Sequence, residues 1–401
     1  VRLVPFSSQY LRADRPLPFG VRDASGQLLL AAGQVVENQE QLATLKAQPL
    51  FSDEAESAEW TRRLAAAMDA MIRKGATLNE VAAARPEPDD RNSRKTIERR
   101  LDEQWDDLVL TLDTTLRDVR EDSPWRTRLA TVHDRARELV SRKPDASLYL
   151  LVYAAGQITH QYSSHHALVS LAMCELAASV LEWPQAEIDS LGRAALTMNV
   201  AMAALQDQLA VSDRPLTPAM REEIDAHPEV GATLLAEAGL GDPLAVEVVR
   251  AHHDDSVAAQ PLAALPPAAR LARLLRRVDI FSAKISKRGS RKPQSPVQAA
   301  REACLGPDGK PDEIGSALLK AVGMYPPGSF VELNCGELGI VLARGRRANL
   351  PHVATLVSGS GTVLVTPALR DTIEQRFSVK NALAPHAVRV RPPHERLLAM
   401  R

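Results

Sequence analysis

The chain has 401 residues, 45% hydrophobic and 25% charged, enough to bury the cores of two or three domains. Its 49 Lys and Arg balance 50 Asp and Glu, which excludes the broad cationic footprint of a nucleic-acid or anionic-membrane binder and leaves any charged ligand to a local patch. Cys174, Cys304 and Cys335 are odd in number and never spaced C-x-x-C, no leader-like start is present, and no stretch approaches the ~20 apolar residues of a membrane span; reduced thiols, a cytoplasmic location and no membrane partner are expected.

In chain order, residues 18–36 set an Asp-Ala-Ser-Gly turn between two apolar runs and predict a β-hairpin, and residues 37–47, with Leu42 and Leu45 three apart after a polar start at Asn38, predict a short helix. Residues 84–96 are charged, contain proline and lack large apolar side chains, as an exposed linker does. Leu101, Trp105, Leu108, Leu112 and Leu116 then recur at helical spacing within residues 97–143. From 145 to about 322 the chain is rich in Ala and Leu, with proline mainly between periodic runs, so a helical bundle is expected. Past Tyr325-Pro326-Pro327-Gly328, short β-type runs at 330–333, 339–342 and 361–365 predict strands ahead of a Pro- and Arg-rich tail.

The expected organisation is a mainly α protein: a β-containing module at 1–60, a helical connecting segment at 61–143, a helical domain at 144–323, and a β extension with its tail at 324–401.

The residues able to carry chemistry lie in the helical domain. His165 opens an apolar helix, His227 precedes Pro228 and small residues, and His252-His253 stands where Asp254-Asp255-Ser256 ends a helix. Asp279 follows an apolar run interleaved with Arg270, Arg273, Arg276 and Arg277. Taken singly, each histidine reads as a packed or capping residue; together, four imidazoles and a carboxylate suit Fe, Mn or Zn.

Their order resembles the HD-GYP subgroup of the HD metal-dependent phosphohydrolases, which hydrolyse the bacterial second messenger cyclic di-GMP. The likeness covers roughly residues 145–345. His165 matches the family's first histidine, Leu216-Thr217-Pro218 its Leu-Thr-Pro turn, His227-Pro228-Glu229-Val230-Gly231 its H-P-x-x-G, His252-His253-Asp254 its H-H-E, and Asp279 its late aspartate. The run from Gly323 through Tyr325, Pro326, Gly328, Glu337 and Gly339 to Val341 matches the closing signature and is the most specific part. The resemblance implies an HD-domain bundle, metal ligands at His165, His227, His252, His253 and Asp279, and a retained ligand-binding residue at Arg288.

The departures fall on the chemistry. Where the family has an adjacent His-Asp pair, whose carboxylate bridges two metals ~3.5–4 Å apart, this chain has Met198-Asn199, a soft thioether and a neutral amide. The family's lysine is Met202, no Gly-Tyr-Pro lies between Asp254 and Asp279, Gln161 stands where some members carry a glutamate, and Ser282 and Ser290 replace an aspartate and a tyrosine.

These losses predict a degenerate, non-catalytic signalling protein, acting as a cyclic di-GMP sensor or as a protein-interaction scaffold for signalling partners. His227, His252 and His253 could hold one divalent metal, or none. The alternative is a divergent metal phosphohydrolase acting on cyclic di-GMP or a related phosphoester. A related non-catalytic module, the HDOD domain, is disfavoured by the Tyr325–Val341 signature.

Overall fold

The structure is a computed structural model that describes residues 3–6, 11, 19–31, 34, 36, 39–54, 57 and 100–400, apart from 257–259 and 307–308. The expected linker at 84–96, and with it residues 61–99 of the connecting segment, lies outside the described residues. The chain divides into two compact units, Val1–Asp107 and Leu108–Arg401.

In the first unit, β2 (Val21–Arg22) and β3 (Leu28–Leu30) form the expected hairpin, closed where the Asp23 carboxylate accepts from the Ser25 and Gln27 amides at 2.8 and 3.0 Å. With β1 (Leu3–Phe6) and β4 (Leu50–Asp53) they make an antiparallel sheet ordered β1-β4-β2-β3. Leu42 and Leu45 of α1 (Gln39–Lys46) join Val21, Leu30 and Leu50 in its small core.

The amphipathic stretch that follows is two helices, α2 (Leu101–Leu116) and α3 (Trp125–Arg142). The second unit is built around α5 (Tyr162–Val180), which packs against α3, α4 (Pro144–Gln157), α6 (Gln185–Thr197), α10 (Pro267–Ile285) and α12 (Glu313–Val322). Leu168, Val169, Leu171, Met173 and Cys174 of α5 are all fully buried, so this helix is enclosed on every side rather than amphipathic.

Helix starts are marked as the sequence suggests. Proline occupies the first turn of α4, α8 (Pro218–Glu237), α9 (Pro243–Ala251), α10 and α11 (Pro296–Cys304), where no amide donor is needed. The Leu-Thr-Pro motif is such a start: the Thr217 hydroxyl accepts from the Met220 amide and Pro218 opens α8. A short α7 (Ala203–Val211) links α6 to this region after a 3-10 turn at Val200–Met202.

The C-terminal strands β5 (Phe330–Leu333), β6 (Leu338–Ala343), β7 (His352–Val357), β8 (Val363–Asp371) and β9 (Val379–Leu383) form one antiparallel sheet ordered β8-β7-β6-β5-β9. One face packs Phe330, Ile340, Leu342 and Leu356 against Tyr149 of α4 and Leu397 of the short α13 (His394–Leu398). The turn before β5 needs glycine: Gly328 has φ +90°, and a Cβ there would lie 2.3 Å from the Tyr149 carbonyl oxygen.

Candidate metal centre

Helix ends and one internal proline aim the imidazoles. Pro228 has no amide proton, so the carbonyl of Ile224, four residues earlier in α8, loses its helical partner. The His227 Nδ1–H donates to it at 2.5 Å. At the end of α9, where a helix leaves carbonyls without partners, His252 is the C-cap and its Nδ1–H donates to the Val249 carbonyl at 2.6 Å. A carbonyl only accepts, so both rings carry their proton on Nδ1 and expose the Nε2 lone pair.

Those two Nε2 atoms stand 3.1 Å apart. Two lone pairs at that distance repel unless a cation lies between them, and nitrogens sharing an ion at ~2.0–2.1 Å stand at about this separation. His253 completes the group, its ring centroid 4.4 Å from that of His252 and 5.1 Å from that of His227. One ligand nitrogen from each of the three lies within 4.8 Å of the others. Burial pushes the His252 imidazole down to about 3, reinforced by neighbouring His253, and burial also lowers His227 and His253. Neutral imidazole is the metal-binding form, so the trio fits one divalent ion.

Asp279 lies inside α10, its Oδ2 3.9 Å from His253 Nε2 and its Oδ1 2.7 Å from His166 Nε2. Burial raises its carboxyl, but the hydrogen bond from His166 outweighs burial and holds it below the usual carboxylate range. On the far side of His166, Nδ1 lies 3.4 Å from the Ser282 hydroxyl, which is 3.1 Å from the Ser170 hydroxyl. Tyr162 stacks on the His166 ring at 5.7 Å and 11°, and the Arg288 guanidinium donates to the Tyr162 hydroxyl at 2.7 and 3.0 Å. Arg288, Tyr162, His166, Asp279 and His253 thus form a continuous chain.

The structure brings together His227, His252, His253 and Asp279, as the sequence reading grouped them. It places His166, which the sequence pattern does not single out, beside Asp279. His165, chosen from the sequence, instead sets its ring 6.3 Å from that of His160, and burial lowers it to about 4. The sequence carries no signal that separates the two, since buried Ser163 and Ser164 precede both histidines and the helix is enclosed on every side.

Met198 and Asn199 are buried where α6 ends and the 3-10 turn begins, and Met202 closes that turn half-buried. The turn packs on α8, with Val200 Cγ1 3.5 Å from where a Cβ on Gly231 would lie. Gln161 is the N-cap of α5 with φ 48°. The arginines of α10 are engaged within the fold: Arg270 with Glu187, Arg273 and Arg277 with Asp312, and Arg276 with Asp255 and His253.

No family model matches the chain. Over 235 residues it is 27% identical to a cyclic di-GMP phosphodiesterase of Pseudomonas aeruginosa, an alignment covering 58% of this chain. The chain spans 56% of that relative's length. It is similar to a solved HDG"Y"P protein from Bdellovibrio bacteriovorus, with 16% identity and a TM-score of 0.41 over 79% of this chain and 98% of that one. No described helix is long and apolar enough to cross a membrane.

Proposed function

We propose that this HD-GYP-like chain is a signalling protein that binds cyclic di-GMP without cleaving it through a two-metal centre. The observation that carries the reading is the content of the His-Asp slot. Met198 and Asn199 supply no imidazole and no carboxylate there, so nothing bridges a second dication or offsets the repulsion between two. What remains is a donor set for one ion, Fe, Mn or Zn, made of His227, His252 and His253 with Asp279 alongside. A bound ion would tie α8, α9 and α10 together and offer an open coordination position to a phosphate oxygen. Arg288, held by Tyr162 behind His166, supports recognition of the ligand's phosphates.

The test is metal content per chain after purification without chelator and anaerobic loading with Fe(II) or Mn(II), followed by cyclic di-GMP binding and hydrolysis on the same sample. One metal with binding and no turnover supports the reading. The competing reading, a divergent metal-dependent phosphodiesterase, is favoured by the activity named for the Pseudomonas relative. Two metals per chain with turnover would establish it. No metal and no nucleotide binding would leave a protein-interaction scaffold.

A further inference from the structure

His253 differs from the other two imidazoles of the metal centre in what its Nδ1 meets. His227 and His252 turn Nδ1 to a backbone carbonyl, whereas His253 turns it to a guanidinium: Nη1 of Arg276, in α10, lies 3.3 Å away. The same Nη1 donates to the His253 carbonyl oxygen at 3.1 Å, and Nη2 donates to the Asp255 carboxylate.

The chain just past α9 builds this contact. The Asp254 amide returns to the Ala251 carbonyl at 2.8 Å, and the Asp254 carboxylate accepts from the Ser256 amide and hydroxyl at 2.8 and 2.9 Å, a turn that leaves the Asp255 carboxylate to meet Arg276. Three acceptors thus hold one guanidinium against the edge of the centre, with the Arg276 side chain only 25% exposed.

A guanidinium stays protonated and can only donate, so His253 Nδ1 is the acceptor, and an imidazole that accepts at Nδ1 carries its proton on Nε2. That is the opposite tautomer to His227 and His252, whose Nε2 lone pairs converge at 3.1 Å. The His253 Nε2–H instead faces Asp279 Oδ2, 3.9 Å away. While Arg276 is in place both nitrogens of His253 are taken, one by the guanidinium and the other by its own proton.

We infer that Arg276 is a positioning residue that withholds His253 from the metal: an ion enters on His227 and His252, and His253 becomes the third ligand only when Arg276 leaves its Nδ1. Affinity for the ion is then set by a side chain outside the ligand set. The inference rests on the one-ion reading and deepens it, since that reading takes the three histidines as donors and this one gives the order in which they bind.

The experiment is competition titration of the full chain with Zn(II) against a chelating dye, in the parent, Arg276→Ala, His253→Ala and the double variant, together with nitrogen NMR of the histidine side chains in the metal-free protein. Arg276→Ala is expected to tighten Zn(II) at least about tenfold, the scale of a hydrogen bond from a charged donor. Made in His253→Ala, the same substitution is expected to change affinity by no more than about twofold. In the metal-free parent His253 is expected as the Nε2–H tautomer, with an Nδ1 resonance that shifts in Arg276→Ala, and His227 and His252 as Nδ1–H tautomers. A gain of equal size in both backgrounds means that Arg276 acts through its charge alone and overturns the inference. So does the absence of a gain in Arg276→Ala, or a His253 proton on Nδ1 in the parent; in these cases one Zn(II) per chain leaves the one-ion reading standing. Two Zn(II) per chain, or none in the parent and Arg276→Ala alike, ends that reading and the inference with it.

Discussion

The Asp279 carboxylate accepts a 2.7 Å hydrogen bond from His166 Nε2, and its other oxygen faces His253 Nε2 at 3.9 Å. One carboxylate therefore joins a buried helix to the exposed edge of the His cluster. A group held this way positions a neighbouring metal, and loss of such a support typically costs about 10–100-fold in metal affinity. His166→Ala is expected to lower metal affinity by that order, whereas His165→Ala leaves it within about twofold. Competition titration against a chelating dye reads both; equal losses in the two variants would sink the assignment of His166.

Installing the His-Asp pair that the HD-GYP resemblance calls for is the complementary change. Met198→His/Asn199→Asp returns an imidazole and a bridging carboxylate to the junction of α6 and the 3-10 turn. On the proposed one-ion reading, elemental analysis is expected to rise from one metal per chain to two. A content that stays at one would mean that the junction does not face the trio.

Tyr162 holds Arg288 through its hydroxyl and through its ring face at 4.8 Å. Tyr162→Phe keeps the stacking on His166 and the cation–π contact but removes the acceptor of a charged donor, a loss of about 1.5–3 kcal/mol. If Arg288 recognises cyclic di-GMP from this anchored position, affinity falls about tenfold or more in Tyr162→Phe. Arg288→Lys, which loses the planar fork, is expected to fall at least as far. Binding isotherms unchanged in both variants would remove Arg288 from the site.

Glu175 on α5 supplies a pH dependence. Burial raises its carboxyl to about 7, against the opposing charge of Arg137, whose Nε lies 3.1 Å away. Its folded-state value exceeds the unfolded one, so the folded state holds the extra proton. That contribution is fully present below about pH 4.5 and is lost as pH rises through 7. Glu175→Gln is expected to be more stable than the parent at pH 8 by on the order of 1–3 kcal/mol and close to it at pH 5. Thermal melts at the two pH values check the sign; a variant less stable at pH 8 would contradict it.

Gly328→Ala tests the close approach that seats the sheet on α4. A residue at φ +90° with its Cβ 2.3 Å from the Tyr149 carbonyl oxygen must move the turn, a cost of about 2–4 kcal/mol. Urea denaturation measures it, and a loss under about 0.5 kcal/mol would mean that the turn yields freely.

The sequence by itself determined the helical domain, the hairpin ahead of it, three of the five strands after it (not His352–Val357 or Val379–Leu383) and most of the cluster, because these depend on local chemistry. Periodicity, proline at helix starts, threonine at a cap and glycine at a turn act within a few residues, and so does the H-P pair, where the proline frees the carbonyl that fixes the His227 tautomer. Which of two adjacent histidines meets Asp279 was decided only by the tertiary structure. Neighbouring positions on a helix point about 100° apart, and α5 is buried on every side, so its apolar pattern carries no phase to separate His165 from His166. The arginines of α10 illustrate the same limit. Their spacing permits a solvated or phosphate-binding face, and only the approach of Glu187, Asp255 and Asp312 from distant parts of the chain turned them into ion pairs. Sequence spacing sets which residues share a face, but what that face meets depends on contacts between segments 20 to more than 100 residues apart.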